Sequence, residues 1–167
     1  MMGIVMKNNI AELIEILDDQ NKIYGALIDV SKEMKLYIEK NDVKELDMLV
    51  KVESALTMKF SLLENRRKSM SKNIRTEYDI PEDSFNMTEL KKYLNKSEAD
   101  KMEETQEGLI KSMKELDEIN SSNSMLVRSR LDWIDLSLKI LGKNTTDKKY
   151  NKEKKIERET KLVDELI

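Results

Sequence analysis

Apolar residues recur along this chain at alternating steps of three and four, and that spacing restricts the fold more than any other feature. Between Lys7 and Glu39 the rungs are Ile10, Leu13, Leu17, Tyr24, Leu27, Met34 and Ile38. Gln20 and Ser31 occupy the two remaining positions, and Ile14 and Ile28 widen the stripe. Such steps line one face of an α-helix, whereas a half-buried strand needs alternation by two. A second ladder passes through Leu46, Leu49, Glu53, Leu56, Phe60, Leu63, Arg67, Met70 and Ile74. A third passes through Met102, Leu109, Met113, Leu116, Asn120, Asn123 and Val127. It then shifts by one residue and continues through Leu131, Ile134, Leu138 and Leu141. The shift is a stutter, which changes the local supercoil. Three ladders predict three long helices, over about residues 7–39, 43–75 and 98–141.

The breaks between the ladders carry helix-end chemistry. Asp42 with Glu45 three residues on reads as a capping box, and the short link from Lys40 predicts an antiparallel hairpin. Residues 76–86 contain Pro81, the only proline, which biases Ile80 away from the helical region. Asn86 with Glu89 predicts a short capped helix carrying Met87, Leu90 and Leu94, and Ser97 is the expected cap of the third long helix. Gly142 is placed to end that helix in a left-handed conformation. Residues 1–142 carry 22 basic and 27 acidic side chains, and residues 143–167 carry 8 and 6. The expected organisation is therefore all-α: an antiparallel bundle of three long helices with a short connecting helix over 1–142. A charged tail over 143–167 follows, flexible or a short helix.

Composition removes several functions. One proline and four glycines cannot supply the turns of a sheet protein. The chain has no cysteine and no histidine, so it has no disulfide, no thiolate metal site, no histidine general base and no common zinc ligand set. Its glycines are scattered, which leaves no phosphate-cradling loop. Carboxylates such as Glu103–Glu104 and Asp117–Glu118 lie among lysines on outer helix faces, where a solvated surface role outweighs acid–base work. The expectation is no enzyme, no metal and no cofactor. Near-balanced charge argues against a nucleic-acid surface. No apolar run reaches the length of a membrane span, and Met1–Lys7 is too short for a signal core, so membrane insertion is not expected and a cytoplasmic location is.

The residues most open to a binding role lie on the third ladder. Asn120 and Asn123 are polar rungs that read as register-setting partners inside the bundle. Eleven methionines suit either gap-filling or an adaptable surface. Around Trp133 the chain is at its most apolar: Trp133, Leu136 and Ile140 fall on one face, and Leu131, Ile134, Leu138 and Leu141 on another. One face can pack on the hairpin, and an uncovered one is a docking site for a helix. Val127, Leu131, Ile134, Leu138 and Leu141 are the candidate client-binding residues. In the tail, Ile156, Val163 and Ile167 share a helical face that could fold back as a cover. Tyr150 stands in a polar, basic stretch with no apolar neighbours to bury it.

The third helix also carries a family resemblance. Asn120, Asn123, Leu126 and Val127 match an N-x-x-N-x-x-L-[IV] core, and Trp133, Ser137, Leu138, Ile140 and Leu141 match the aromatic and SL-x-[IL]-[IL] ending that follows it. Leu62-Leu63-Glu64-Asn65-Arg66-Arg67 resembles an LLEN-RR element, and Tyr150-Asn151 sits where a family tyrosine belongs. Over roughly residues 7–151 the chain resembles the FlgN family of flagellar export chaperones. The resemblance implies a cytoplasmic chaperone that binds the C-terminal helical ends of hook–filament junction proteins such as FlgK and FlgL, prevents their early assembly and presents them at the export gate. It implies that Tyr150 docks to the cytoplasmic domain of FlhA. The alternative of another class is a structural coiled-coil scaffold or self-associating adaptor with no export client.

Overall fold

The computed structural model describes the backbone over residues 2–164 and side chains over residues 9–141. Every long element is helical: α1 (Met2–Lys40), α2 (Val43–Glu77), a single 3-10 turn (Glu82–Ser84), α3 (Met87–Lys91) and α4 (Lys96–Asp164). No strand occurs among the described residues. The chain divides into two units, Met1–Asn123 and Ser124–Ile167.

In the first unit α1 and α2 form the expected antiparallel hairpin. Asn41, at φ 56°, supplies the left-handed residue that ends α1, a conformation asparagine tolerates better than most residues. Asp42 caps α2 by accepting from the Glu45 amide at 3.2 Å. The reciprocal half of the box is absent, because the Asp42 amide donates to the Tyr37 carbonyl instead. At the other end Asn86 accepts from the Glu89 amide at 2.9 Å and caps α3. The cap of α4 is Asn95 rather than Ser97. Asn95 Oδ1 accepts from the Glu98 amide and the Asn95 amide donates to Glu98 Oε2, both at 3.0 Å. Two orphan amides are thereby satisfied reciprocally, which a cap at Ser97 could not achieve with Asp100.

The core is concentrated at the end of the bundle that holds the α2–α4 connection. Ile10, Leu13 and Ile14 of α1 meet Ile74, Leu90 and Met102, with Leu17, Met70, Tyr78, Phe85, Met87 and Leu94 packed around them. Ile74 and Met102 have no exposed surface. α4 runs parallel to α1, as the third helix of an up-down-up bundle must. Ser112 Oγ donates to Asn21 Oδ1 at 3.0 Å, and Lys32 pairs with Glu115 at 2.7 Å. The helices approach closely at Gly108, where an added Cβ would lie 2.9 Å from Asn21 Nδ2.

Gly25 differs, since a Cβ there meets nothing within 4 Å. Gly25→Ala should therefore stabilise the protein by about 0.5–1 kcal/mol, through helix propensity and a less flexible unfolded chain. Urea unfolding measures this, and a loss of stability would show that α1 is more crowded at Gly25 than its open surroundings suggest.

One expected boundary moves. Gly142 does not end the third helix, which continues to Asp164. No described glycine has a positive φ. A glycine inside a helix costs about 1 kcal/mol relative to alanine without breaking the hydrogen-bond ladder. No proline follows to enforce a stop. Residues 143–164 are thus an extension of α4 and not a separate short helix.

Candidate functional site

Two polar rungs of the third ladder set the register of α4 on α1. Ser31 is fully buried and its Oγ donates to Asn120 Oδ1 at 2.9 Å. Asn123 Nδ2 donates to the Ser31 carbonyl at 2.8 Å. A one-residue slip would separate all three groups and leave buried polar atoms unpaired. Asn120 and Asn123 therefore hold helix alignment, as their seam positions suggested.

Lower in the same unit, α2 and α4 stand apart over α1. Leu17, Tyr24, Phe60, Leu109 and Met113 line an open groove whose polar wall is Gln20, Glu64 and Arg67. Arg67 grips Glu64 through two bonds, Nε at 2.8 Å and Nη2 at 2.7 Å, and Gln20 Nε2 adds a third at 3.0 Å. The hydrogen bonds from Arg67 pull the Glu64 carboxyl from an ordinary 4.5 to about 2, against an opposing effect of partial burial. The polar rungs Gln20 and Arg67, which looked out of place on two apolar ladders, meet here around one carboxylate.

A pH dependence follows. The folded carboxyl has the lower pKa, so the stability it contributes is full above about 4.5 and disappears as pH falls toward 2. Solvent screening holds the contribution to about 1 kcal/mol or less. Wild type should exceed Glu64→Gln by that margin at neutral pH and converge with it by pH 2, measured by urea unfolding across that range. A constant gap at every pH would remove the ionic account.

The sequence-derived client residues lie in the second unit. Val127, Leu131, Ile134, Leu138 and Leu141 share one face of α4 and are between 38% and 62% exposed. They continue the ladder on which Leu116, Asn120 and Asn123 lie. The second apolar face is equally open: Trp133, Leu136 and Ile140 are 53–68% exposed. At about 100° per residue the two faces point nearly opposite ways, separated on one side by Arg128, Asp132, Asp135 and Lys139. Exposed methionines continue the pattern, with Met125 among the most open, whereas Met102 fills the core.

Tyr150, Ile156 and Val163 fall on the helical backbone of α4, but their side chains lie outside the described residues, and Ile167 lies outside them altogether. A cover formed by these residues needs a break in α4, whose backbone is helical from Lys96 to Asp164. No group of acidic side chains with metal-binding geometry occurs among the described residues, and no described helix is long and apolar enough to cross a membrane.

No curated protein and no solved structure matches this chain. The family model described as FlgN protein matches residues 2–158, which takes in the hairpin, the polar register pair, the bifacial stretch of α4 and Tyr150. The chain is a member of the FlgN family, a family of flagellar export chaperones and not of enzymes.

Proposed function

We propose that this protein captures the C-terminal helical segments of hook–filament junction proteins of the FlgK and FlgL kind. It works in the cytoplasm, keeps these subunits from assembling early and hands them to the export gate. The observation that carries the reading is the open stripe Val127, Leu131, Ile134, Leu138 and Leu141. Upstream, the same ladder is occupied by α1. Along the stripe, a client helix takes the place that α1 takes at Asn120 and Asn123. An apolar ridge at steps of three and four on an amphipathic client would interdigitate with it. Residues 1–142 form the chaperone body in this reading and residues 143–167 the gate-facing tail. Tyr150 docks to the cytoplasmic domain of FlhA, as an aromatic anchor with a polar handle at a transient interface. Ile156, Val163 and Ile167 shield the client stripe in a state in which α4 bends.

Calorimetric titration with peptides from FlgK and FlgL C-termini tests this. Leu138→Glu should weaken binding at least a hundredfold, because it places a charge in a desolvated apolar contact. It should leave the helix content unchanged, since Leu138 is well exposed. Tyr150→Ala should weaken binding to the FlhA domain and leave client affinity alone. Unchanged client affinity in Leu138→Glu would move the client site elsewhere, and unchanged gate affinity in Tyr150→Ala would remove the docking assignment.

A further inference from the structure

The first unit holds an apolar trough that shares no residue with the client stripe. One cavity of about 280 Å³ lies among Leu13, Leu17, Phe85 and Leu109, and a second of about 370 Å³ among Leu17, Tyr24, Phe60 and Met113. Leu17, Arg67 and Leu109 line both, so the two form one trough with α1 as its floor and α2 and α4 as its walls. From Leu13 to Tyr24 the floor runs about 16 Å, at 1.5 Å per residue, or three turns of helix. The walls differ in charge. The α4 wall is Gln106, Leu109 and Met113, all uncharged, and Met113 is half-exposed. On the α2 wall, Arg67 at 2.7 Å and Lys68 at 3.9 Å share the single carboxylate of Glu64. One positive charge is left over there. We propose that this trough receives an amphipathic helix of another protein, about three turns long, with a bulky apolar ridge and an acidic flank turned toward α2.

The shape of the trough selects a helix. Three helices with a gap over one of them are a four-helix bundle short of one member. Anchors on a helix at i, i+3 or i+4, and i+7 span about 10 Å, which fits within the floor and brings one bulky side chain to each cavity. An extended segment would leave its backbone groups unpaired, since no strand occurs among the described residues to offer it an edge. The charge on the α2 wall selects the flank. Arg67 donates to Glu64 through Nε and Nη2, and its Nη1 has no protein partner among the described residues. A carboxylate on the incoming helix supplies one, without taking Arg67 from Glu64. Lys68 lies beside the same carboxylate, and Lys72, one turn further on, is also exposed. A basic flank would meet like charge at this edge, and the α4 wall has no charge to compensate for it.

Fluorescence anisotropy of synthetic stapled helices titrated with the full chain tests the proposal. Each helix is twelve residues long with leucines at steps of three and four. The three probes differ only along one flank, which carries glutamate, glutamine or lysine. The glutamate helix should bind about tenfold tighter than the lysine helix, with glutamine between, and the gap should narrow at high salt. Met113→Glu should weaken the glutamate helix at least tenfold, and circular dichroism checks its fold. Lys68→Glu should bring the glutamate and lysine helices within about threefold of each other. Lys68 is an exposed side chain, so this variant keeps the test decisive even where Met113→Glu does not fold. Leu138→Glu should leave the glutamate helix bound as in wild type, which separates this site from the client stripe. Absence of binding by all three helices would overturn the proposal. So would equal affinity for glutamate and lysine flanks, a flank preference untouched by Lys68→Glu, or binding that survives in folded Met113→Glu and is lost in Leu138→Glu.

Discussion

Ile74→Ala is expected to destabilise the protein by about 2–5 kcal/mol, toward the upper end of that range. Ile74 has no exposed surface and sits where α1, α2, α3 and α4 converge, against Ile10, Leu13, Ile14, Leu90 and Met102. Removing three carbons there loses their transfer free energy and leaves a cavity that four helices cannot close together. Leu56 and Leu63 lie on the same seam of α2 but are only half-buried, so their replacement by alanine should cost less. Urea unfolding followed by circular dichroism compares the three variants. Equal losses for Ile74→Ala and Leu56→Ala would mean that the core extends evenly along the hairpin and is not concentrated at one end.

Asn123→Asp should be comparably severe for a different reason. Asn123 is buried, and its Nδ2 donates to the Ser31 carbonyl. A carboxylate there loses the donor, faces a carbonyl oxygen and carries a charge out of water, with an expected cost of about 3–5 kcal/mol. The pH dependence separates charge from shape. The buried carboxyl would have a raised pKa in the folded protein, so the deficit is largest at neutral pH and shrinks as pH falls and the group takes a proton. Asn123→Leu, which introduces no charge, should cost much less. A deficit that stays constant between neutral and acidic pH would assign it to lost register and not to charge.

How much of this was legible in the sequence depends on which physical signal each feature carries. The three ladders located the helices and their inward faces, because burial imposes its period directly on the residues. The same signal does not say how deep burial goes. The α2 ladder faces inward along its length, yet only Ile74 on it is fully covered, because α2 and α4 stand apart and open the groove beside Phe60 and Leu109. Caps were readable where one side chain decides them, as at Asp42 and Asn86. The start of α4 was misplaced by two residues because Ser97 and Asn95 are both good caps, and only the reciprocal bond with Glu98 separates them. Gly142 shows the limit of a local stop signal, since glycine permits a helix end without enforcing one. The meeting of Gln20 with Glu64 and Arg67 joins two helices, and no local pattern announces it. At the candidate site, spacing places Val127, Leu131, Ile134, Leu138 and Leu141 on one apolar stripe. The openness of the Trp133 face is not legible in spacing, because periodicity shows that a face is apolar and not whether something covers it.

In the proposed function a client helix binds along α4 beyond Asn123. Hydrogen exchange measured with and without a FlgK C-terminal peptide tests it most directly, because it reads every segment of the chain at once. Added protection should concentrate over residues 127–141, with the core around Ile74 and Met102 unchanged. Protection confined to the groove around Leu17, Phe60 and Leu109, with residues 127–141 exchanging as in the free protein, would contradict it.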